Sequence, residues 1–180
     1  MQVGATSPVD PALVAVVTAQ LSRPARAVLR VAHVCSCGLP DVVETSSRLA
    51  DGTPFPTLYY LTCPRAAKAV SRLESGGMMR ELTERLGHEL ELAAAYRRAS
   101  EDYVRRRDVH GQLPGNPTAG GMPGRVKCLH VLVAHSLAVG PGIQPLGDEA
   151  LAALPDWGAD GPCIAVEHWP GTMVGPEDRP

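Results

Sequence analysis

The sequence is short of aromatic residues, of net charge and of long apolar runs. Aromatic side chains make up 4% of the 180 residues, which argues against a protein that binds single-stranded nucleic acid by stacking bases on aromatic rings. The formal net charge of −2 argues in the same direction, because contact with the phosphate backbone requires a basic surface. No apolar stretch approaches the roughly 18 residues of a membrane-spanning helix. The sequence therefore disfavours nucleic acid and membranes as partners, and it leaves the partner unknown.

Two further absences concern the cellular compartment. The N-terminus lacks the basic stretch of an export signal, and the number of cysteines, five, is odd. Five cysteines without an export signal indicate reduced thiols in the cytoplasm rather than a disulfide framework. The hydrophobic share of 44% is sufficient for one folded core, so the sequence excludes a wholly disordered chain.

Charge and composition divide the chain into three parts. Residues 1–9 are predicted to be a flexible N-terminus, and residues 10–154 are predicted to form a single domain of ordinary size. From residue 155 the chain is acidic and rich in glycine and proline, without a helical pattern. We therefore predict that 155–180 is a flexible tail.

Within the domain, apolar periodicity and turn residues predict an α+β fold. Runs of β-branched and aromatic residues predict three strands, at 27–34, 42–46 and 57–62. Proline at the start and glycine at the end delimit most of the predicted helices, which lie at 10–21, 64–75, 78–86, 88–109, 125–139 and 148–154. The predicted architecture is a small three-stranded antiparallel sheet, followed by a helical bundle that packs against it.

Four of the five cysteines fall where a metal site could be built. In a meander the first and third strands run in the same direction, so Cys35, Cys37 and Cys63 leave the sheet at one edge. Cys63 and Cys128 lie at predicted helix N-termini, whose positive end favours a thiolate. We therefore predict a zinc ion or an iron–sulfur cluster with four thiolate ligands: Cys35, Cys37, Cys63 and Cys128. The alternative is that these cysteines are small buried hydrophobic residues.

Two histidines are candidate supporting groups for this metal site. His135 lies seven residues after Cys128 in the predicted helix and shares its face, whereas His130 is turned from Cys128 by about 200°. His33 alternates with Cys35 along the predicted first strand and lies on the same side of it. His33 and His135 are therefore predicted as substitute ligands or as groups that orient the ligands.

The same residue types support a second interpretation, a thiol-dependent enzyme. Cys63 or Cys128 is then the nucleophile, His135 is the base, and the substrate is an anion. This interpretation requires one reactive thiol rather than four ligands.

A glycine-rich turn before the predicted helix 125–139 is the candidate anion-binding site. Free N–H groups at a helix start, together with two cations, suit a phosphate or a carboxylate. The residues concerned are Gly121, Arg125 and Lys127.

A third interpretation makes the predicted helix 88–109 a surface for nucleic acid or for another protein. Acidic residues interleave with its basic ones and offset their charge, so this interpretation ranks last. The basic residues are Arg97, Arg98, Arg105, Arg106 and Arg107.

Four segments resemble an actinobacterial family known as domain of unknown function 501. They are CSCGLPDVVET, DGTPFPTLYYLTCP, GGMPGRVKCLH and AHSLAVGPGIQPLGDEAL, and the resemblance extends from about residue 21 to residue 154. The family has no established activity, so the resemblance implies membership and no reaction. Gln144 departs from the family pattern, in which asparagine is expected. The resemblance implies that the family's motif segments include Cys35, Cys37, Cys63, Cys128, His130 and His135.

Overall fold

The computed structural model describes residues 9–165 and contains one small sheet with helices around it. The three strands are β1 (Val28–Val34), β2 (Pro40–Thr45) and β3 (Tyr59–Leu61), in the order β1-β2-β3. Both pairings are antiparallel, and Val43 of β2 lies opposite Val31 of β1 and Tyr60 of β3. The predicted three-stranded antiparallel sheet is confirmed.

Proline positions explain where several helices begin. Pro11, Pro64 and Pro145 each open a helix, at the position where the missing N–H of proline costs nothing. None of the helices in residues 9–165 combines the length and the apolar character that a membrane crossing requires. The helices are α1 (Pro11–Leu21), α2 (Pro64–Ser75), α3 (Met78–Leu86), α4 (Leu90–Asp108), α5 (Leu129–Val139) and α6 (Pro145–Ala152).

Two helix starts differ from the prediction by three residues or more. Helix α5 begins at Leu129 rather than at 125, because the preceding backbone forms turns, with Lys127 N donating to Gly120 O at 2.7 Å. Helix α6 begins at Pro145 rather than at 148, with Gln144 as its N-cap. The first of these differences changes which side chains meet at the start of α5.

The sheet has helices on both faces, so its central strand is buried along its whole length. Helix α1 covers one face, where Leu13 and Val17 pack with Val43. Helix α5 and the other helices cover the opposite face, which includes Val42 and Leu61. Every residue of β2 is buried, and the predicted α+β fold with a sheet packed against helices is confirmed.

Residues 155–165 contact the domain along the sheet and α2. Trp157 Nε1 donates to Asp41 Oδ2 at 3.3 Å, and the Arg65 guanidinium donates to the carbonyl oxygens of Gly161 and Pro162. The predicted tail 155–180 therefore begins with a segment that has contacts on the domain. Its remainder, 166–180, and residues 1–8 of the predicted N-terminus lie outside the described residues.

Tyr103 in α4 ties that helix to the sheet through one buried hydrogen bond. Its hydroxyl oxygen accepts from Leu58 N at 2.6 Å, and both residues are fully buried. We expect Tyr103→Phe to lower the free energy of unfolding by about 1–3 kcal/mol, because the Leu58 N–H is left without a partner. Urea denaturation measures this. The control is Tyr60→Phe, which removes a hydroxyl paired with exposed Arg23 and should change stability by less than about 0.5 kcal/mol; equal losses would contradict the prediction.

Candidate metal centre

The four cysteines predicted as ligands lie at three separate places. Cys35 and Cys37 share the turn after β1, where Cys37 N donates to Cys35 Sγ at 3.5 Å. Cys63 is the N-cap of α2 and forms a hydrogen bond with Cys163. Cys128 is the N-cap of α5. No three of these sulfurs form a cluster of ligand atoms in residues 9–165.

The sheet order and the length of α2 explain why the cysteines are apart. Cys35 and Cys63 leave the same edge, as predicted, but β2 lies between β1 and β3, which separates them by two strand spacings, about 10 Å. Cys128 lies beside Glu74 near the far end of α2, and eleven residues of helix from Cys63 to Glu74 span about 16 Å. Sulfurs on one zinc ion lie only about 4 Å apart.

Burial also works against Cys35 and Cys63 as thiolates. It raises the pKa of the Cys35 thiol to about 11. The hydrogen bond with Cys163, and burial after it, raise the pKa of Cys63. The helix N-terminus at Cys63 was expected to favour the thiolate, but these two effects are larger. Both cysteines match the alternative reading of small buried residues.

A different set of ligand-type side chains converges where α5 begins. Glu74, Cys128 and His130 each offer one ligand atom, and these atoms lie within 4.8 Å of one another. Across residues 9–165 this is the single such group of three His, Cys, Asp or Glu side chains. All three residues are half-buried, so the group is held by the fold and still reachable from solvent.

The start of α5 brings Cys128 and His130 together. Cys128 has an extended backbone, with φ −155° and ψ 112°, so the helical rotation of 100° per residue does not apply between it and α5. This is why Cys128 is close to His130 rather than to His135, which was predicted on the assumption that the helix began at 125.

Glu74 was not predicted as a ligand, because it is more than 50 residues from Cys128 in the sequence. A local feature nevertheless marks it. It lies in the last turn of α2, where the negative end of the helix dipole disfavours a carboxylate. Its Oε1 accepts from Leu129 N at 2.7 Å, so the carboxylate faces the positive end of α5 instead. An acidic residue at a helix C-terminus thus pointed to a partner elsewhere in the fold.

Hydrogen bonds fix the orientation of the His130 ring. Its Nδ1 lies 3.1 Å from Glu74 Oε1, and its Nε2 lies 3.1 Å from Ala67 O and 3.4 Å from Ser71 Oγ. The pKa of His130 is raised to about 9, first by its hydrogen bond with Cys128 and, against the effect of burial, by the charge of Glu74. Both ring nitrogens face acceptors, so the metal-free site favours the imidazolium.

The two histidines predicted as supporting groups lie elsewhere. His33 Nδ1 is 2.7 Å from Asp41 Oδ1 beside β2. His135 is fully buried, with Nε2 3.3 Å from Asp102 Oδ2 and Nδ1 3.4 Å from Gln144 Nε2, and burial lowers its pKa. Neither belongs to the group at the start of α5, and His135 contacts no predicted nucleophile among the described residues.

The predicted anion-binding turn has two of its backbone donors engaged within the turn. Arg125 N donates to Gly121 O at 3.2 Å, and Lys127 N donates to Gly120 O at 2.7 Å. The first N–H of α5, that of Leu129, is bound by the carboxylate described above. Arg125 and Lys127 are exposed, and the anion site at this turn stays a prediction.

Three of the five arginines of α4 are paired within the protein, whereas Arg97 and Arg98 are exposed. Arg105 and Arg106 both bind Asp102. Arg107 is fully buried and donates to Pro117 O, so it is unavailable to a partner. This pairing removes much of the charge on which a nucleic-acid surface at 88–109 depended.

Comparison with known proteins gives one match. A family model described as a protein of unknown function, DUF501, matches residues 31–152. Glu74, Cys128 and His130 all lie inside the matched range. No curated protein and no solved structure matches the chain.

Proposed function

Because the chain belongs to DUF501, a family of unknown function, its function has to be inferred from its own site, and we propose that it is a zinc-binding protein. The ligands are Glu74, Cys128 and His130. The supporting observation is the convergence of one oxygen, one sulfur and one nitrogen atom within 4.8 Å at the junction of α2 and α5. Carboxylate, thiolate and imidazole are the ligand types that zinc accepts.

The donor set favours a single zinc ion over an iron–sulfur cluster. A cluster is held by four cysteines, or by two cysteines and two histidines in the Rieske type. The group at α5 contains one cysteine, and the other described thiols lie in separate parts of the fold. A lone ion with mixed ligands is therefore the proposal.

The surroundings of His130 support a ligand role. Zinc-binding histidines almost always give their second ring N–H to a carbonyl or carboxylate, which sets the tautomer and the ring orientation. Ala67 O lies 3.1 Å from His130 Nε2 and fits that role. With Nε2 so held, Nδ1, which lies 3.1 Å from Glu74 Oε1, is the nitrogen that would bind the ion.

The number of ligands indicates what the site could do. Structural zinc sites are closed by four protein ligands, whereas catalytic sites have three and keep one position for water or substrate. Three half-buried ligands match the second pattern. A zinc ion in such a position lowers the pKa of its bound water to about 7.

Zinc titration of the purified full chain, in competition with a chromogenic chelator, tests the proposal. We expect one equivalent to bind, and we expect Cys128→Ser to weaken binding by about 100-fold or more, since a ligand should matter at least as much as the groups that orient it. Cys37→Ser is the matched control, because Cys37 is a half-buried cysteine outside the group, and it should bind zinc as the wild type does.

A second variant separates binding from folding. Glu74→Gln keeps an oxygen that can accept from Leu129 N, so the metal-free protein should remain folded, as thermal unfolding will show, while its zinc affinity falls. Absence of zinc binding by the wild type would overturn the proposal. Equal weakening by Cys37→Ser and Cys128→Ser would also overturn it, in favour of a ligand set that contains the other cysteines.

Thiol chemistry at the same residues is the second candidate function. The observation in its favour is that the ligand atoms of Cys128 and His130 lie within 4.8 Å of each other, because an adjacent imidazolium stabilises a nucleophilic thiolate. In this version His130 takes the part that was predicted for His135. If the wild type fails to bind zinc and iodoacetamide modifies Cys128 faster than Cys37, this second function replaces the first.

A cytoplasmic location is part of the proposal. All five cysteines are free thiols, and reduced thiols are the rule in the cytoplasm. A zinc site with a thiolate ligand also requires that this thiol stay reduced.

A further inference from the structure

A second site candidate lies away from the metal centre, in a cavity of about 350 Å³. The cavity lies between the end of β1, helices α5 and α6, and the segment that follows α6. Its volume falls in the range of small-molecule sites, about 300–1,000 Å³. One wall is apolar and consists of Leu137, Leu151, Leu154, Pro155 and Trp157. The other contains His33, Cys35, Ser36, Asp41 and Asp156.

A buried carboxylate orients the histidine in the polar wall. Asp41 is fully buried, and its Oδ1 accepts from His33 Nδ1 at 2.7 Å while its Oδ2 accepts from Trp157 Nε1 at 3.3 Å. A carboxylate bound to Nδ1 holds the hydrogen on that nitrogen. Nε2 has no hydrogen-bond partner in residues 9–165, so this nitrogen can pair with a ligand.

Asp156 supplies a second acceptor on the same wall. Its Oδ1 accepts from Ser36 Oγ at 3.1 Å and from Gly158 N at 3.0 Å. The Ser36 hydroxyl hydrogen is used in this contact, so Ser36 does not offer it to a ligand. Oδ2 of Asp156 has no partner among the described residues. The polar wall thus offers acceptors and a negative charge.

Charge complementarity decides the class of ligand. Two carboxylates line the cavity, and its lining contains no arginine or lysine within residues 9–165. We propose that the cavity binds a small organic amine. The ammonium group donates to the Asp156 carboxylate, and the apolar body packs against Trp157 and the leucines.

Residues 155–157 line part of this cavity, and Gly158 after them rests on the turn after β1. Gly158 is buried there, and a Cβ added to it would overlap Ser36 Oγ and lie 2.8 Å from Cys35 Sγ. Alanine at this position displaces the segment, and with it Asp156 and Trp157. Gly158→Ala should therefore weaken amine binding without altering the distant zinc ligands.

Three probes with the same phenyl ring and different charge test the proposal: 2-phenylethylamine, 2-phenylethanol and phenylacetate. We expect calorimetry to show binding of the amine at millimolar concentrations or below, and weaker binding of the alcohol and the acid. Asp156→Asn should reduce the affinity for the amine by about tenfold or more, the size of a lost charged hydrogen bond. Asp160→Asn is the matched control, because Asp160 is exposed and lies outside the cavity lining. This variant should leave the affinity for the amine unchanged.

Several results would overturn the amine proposal. They are tighter binding of phenylacetate than of the amine, equal binding of the alcohol, equal effects of the two aspartate variants, or no amine binding at millimolar concentration. Because the cavity and the metal centre share no residue, zinc titration and amine titration give independent results, and failure of one leaves the other standing.

Discussion

Replacing Gly147 by alanine will lower the free energy of unfolding by about 3 kcal/mol or more. Gly147 is buried in α6 where that helix crosses α5. A Cβ at this position would overlap the Leu132 carbonyl oxygen and Ser136 Oγ, and would lie 2.8 Å from Gln144 Cγ. Overpacking costs typically 1–3 kcal/mol and occasionally more, and a backbone carbonyl within a helix cannot move aside. Thermal unfolding should show a midpoint lower by about 10 °C.

Gly124→Ala is the matched control for this prediction. An added Cβ at Gly124 meets nothing within 4 Å, so its effect should stay within about 0.5 kcal/mol. If Gly147→Ala were as harmless as Gly124→Ala, the close contact between α5 and α6 would be refuted. The contact matters for the sites as well, because α5 carries Cys128 at its start and Leu137 in the cavity wall.

Zinc affinity will rise by about 100-fold between about pH 6 and about pH 8. Binding requires a neutral imidazole, and the pKa of His130 is raised to about 9, first by its hydrogen bond with Cys128 and then by Glu74. Below that pH the metal has to displace a proton, so affinity increases about tenfold for each pH unit. Zinc therefore binds more tightly as the pH rises.

Calorimetry in buffers of different ionisation heat provides the measurement, because it counts the protons released on binding. At about pH 7 we expect at least one proton per zinc ion. An affinity that stays constant over this range would show that His130 is not a ligand, and it would contradict the proposed centre even if zinc binds elsewhere.

The fold could be predicted from the sequence because local signals determine where its helices and strands lie. Proline at helix starts, glycine at helix ends and β-branched strands are short-range features, and the three strands and six helices lie close to where they predict. The exception at the start of α5 is instructive. Residues 125–127 belong to the preceding turns, where Lys127 N donates to Gly120 O, and nothing in the helical pattern of the sequence distinguishes them from a first helical turn.

The candidate site could be predicted only in part, because it depends on long-range packing. The sequence predicts Cys128 as a metal ligand, and that role remains a proposal. Sequence spacing could not identify the residues near Cys128. Glu74 lies in another helix, α2. His130 is close to Cys128 because Cys128 is an N-cap with an extended backbone. The edge shared by Cys35 and Cys63 was predicted correctly, but strand order across a sheet decides distance, and β2 separates them.

The contact between Trp157 and Asp41 means that the folded unit and the family match end at different residues. The match stops at 152, whereas Asp41, buried within it, takes a hydrogen bond from an indole beyond it. A shortened chain ending at residue 154 would leave Asp41 Oδ2 without that donor and would open one side of the cavity. Part of the cavity lining, residues 154–157, lies after the matched range. Two proteins that share the matched range can therefore differ in this part of the cavity and in the ligand that it accepts.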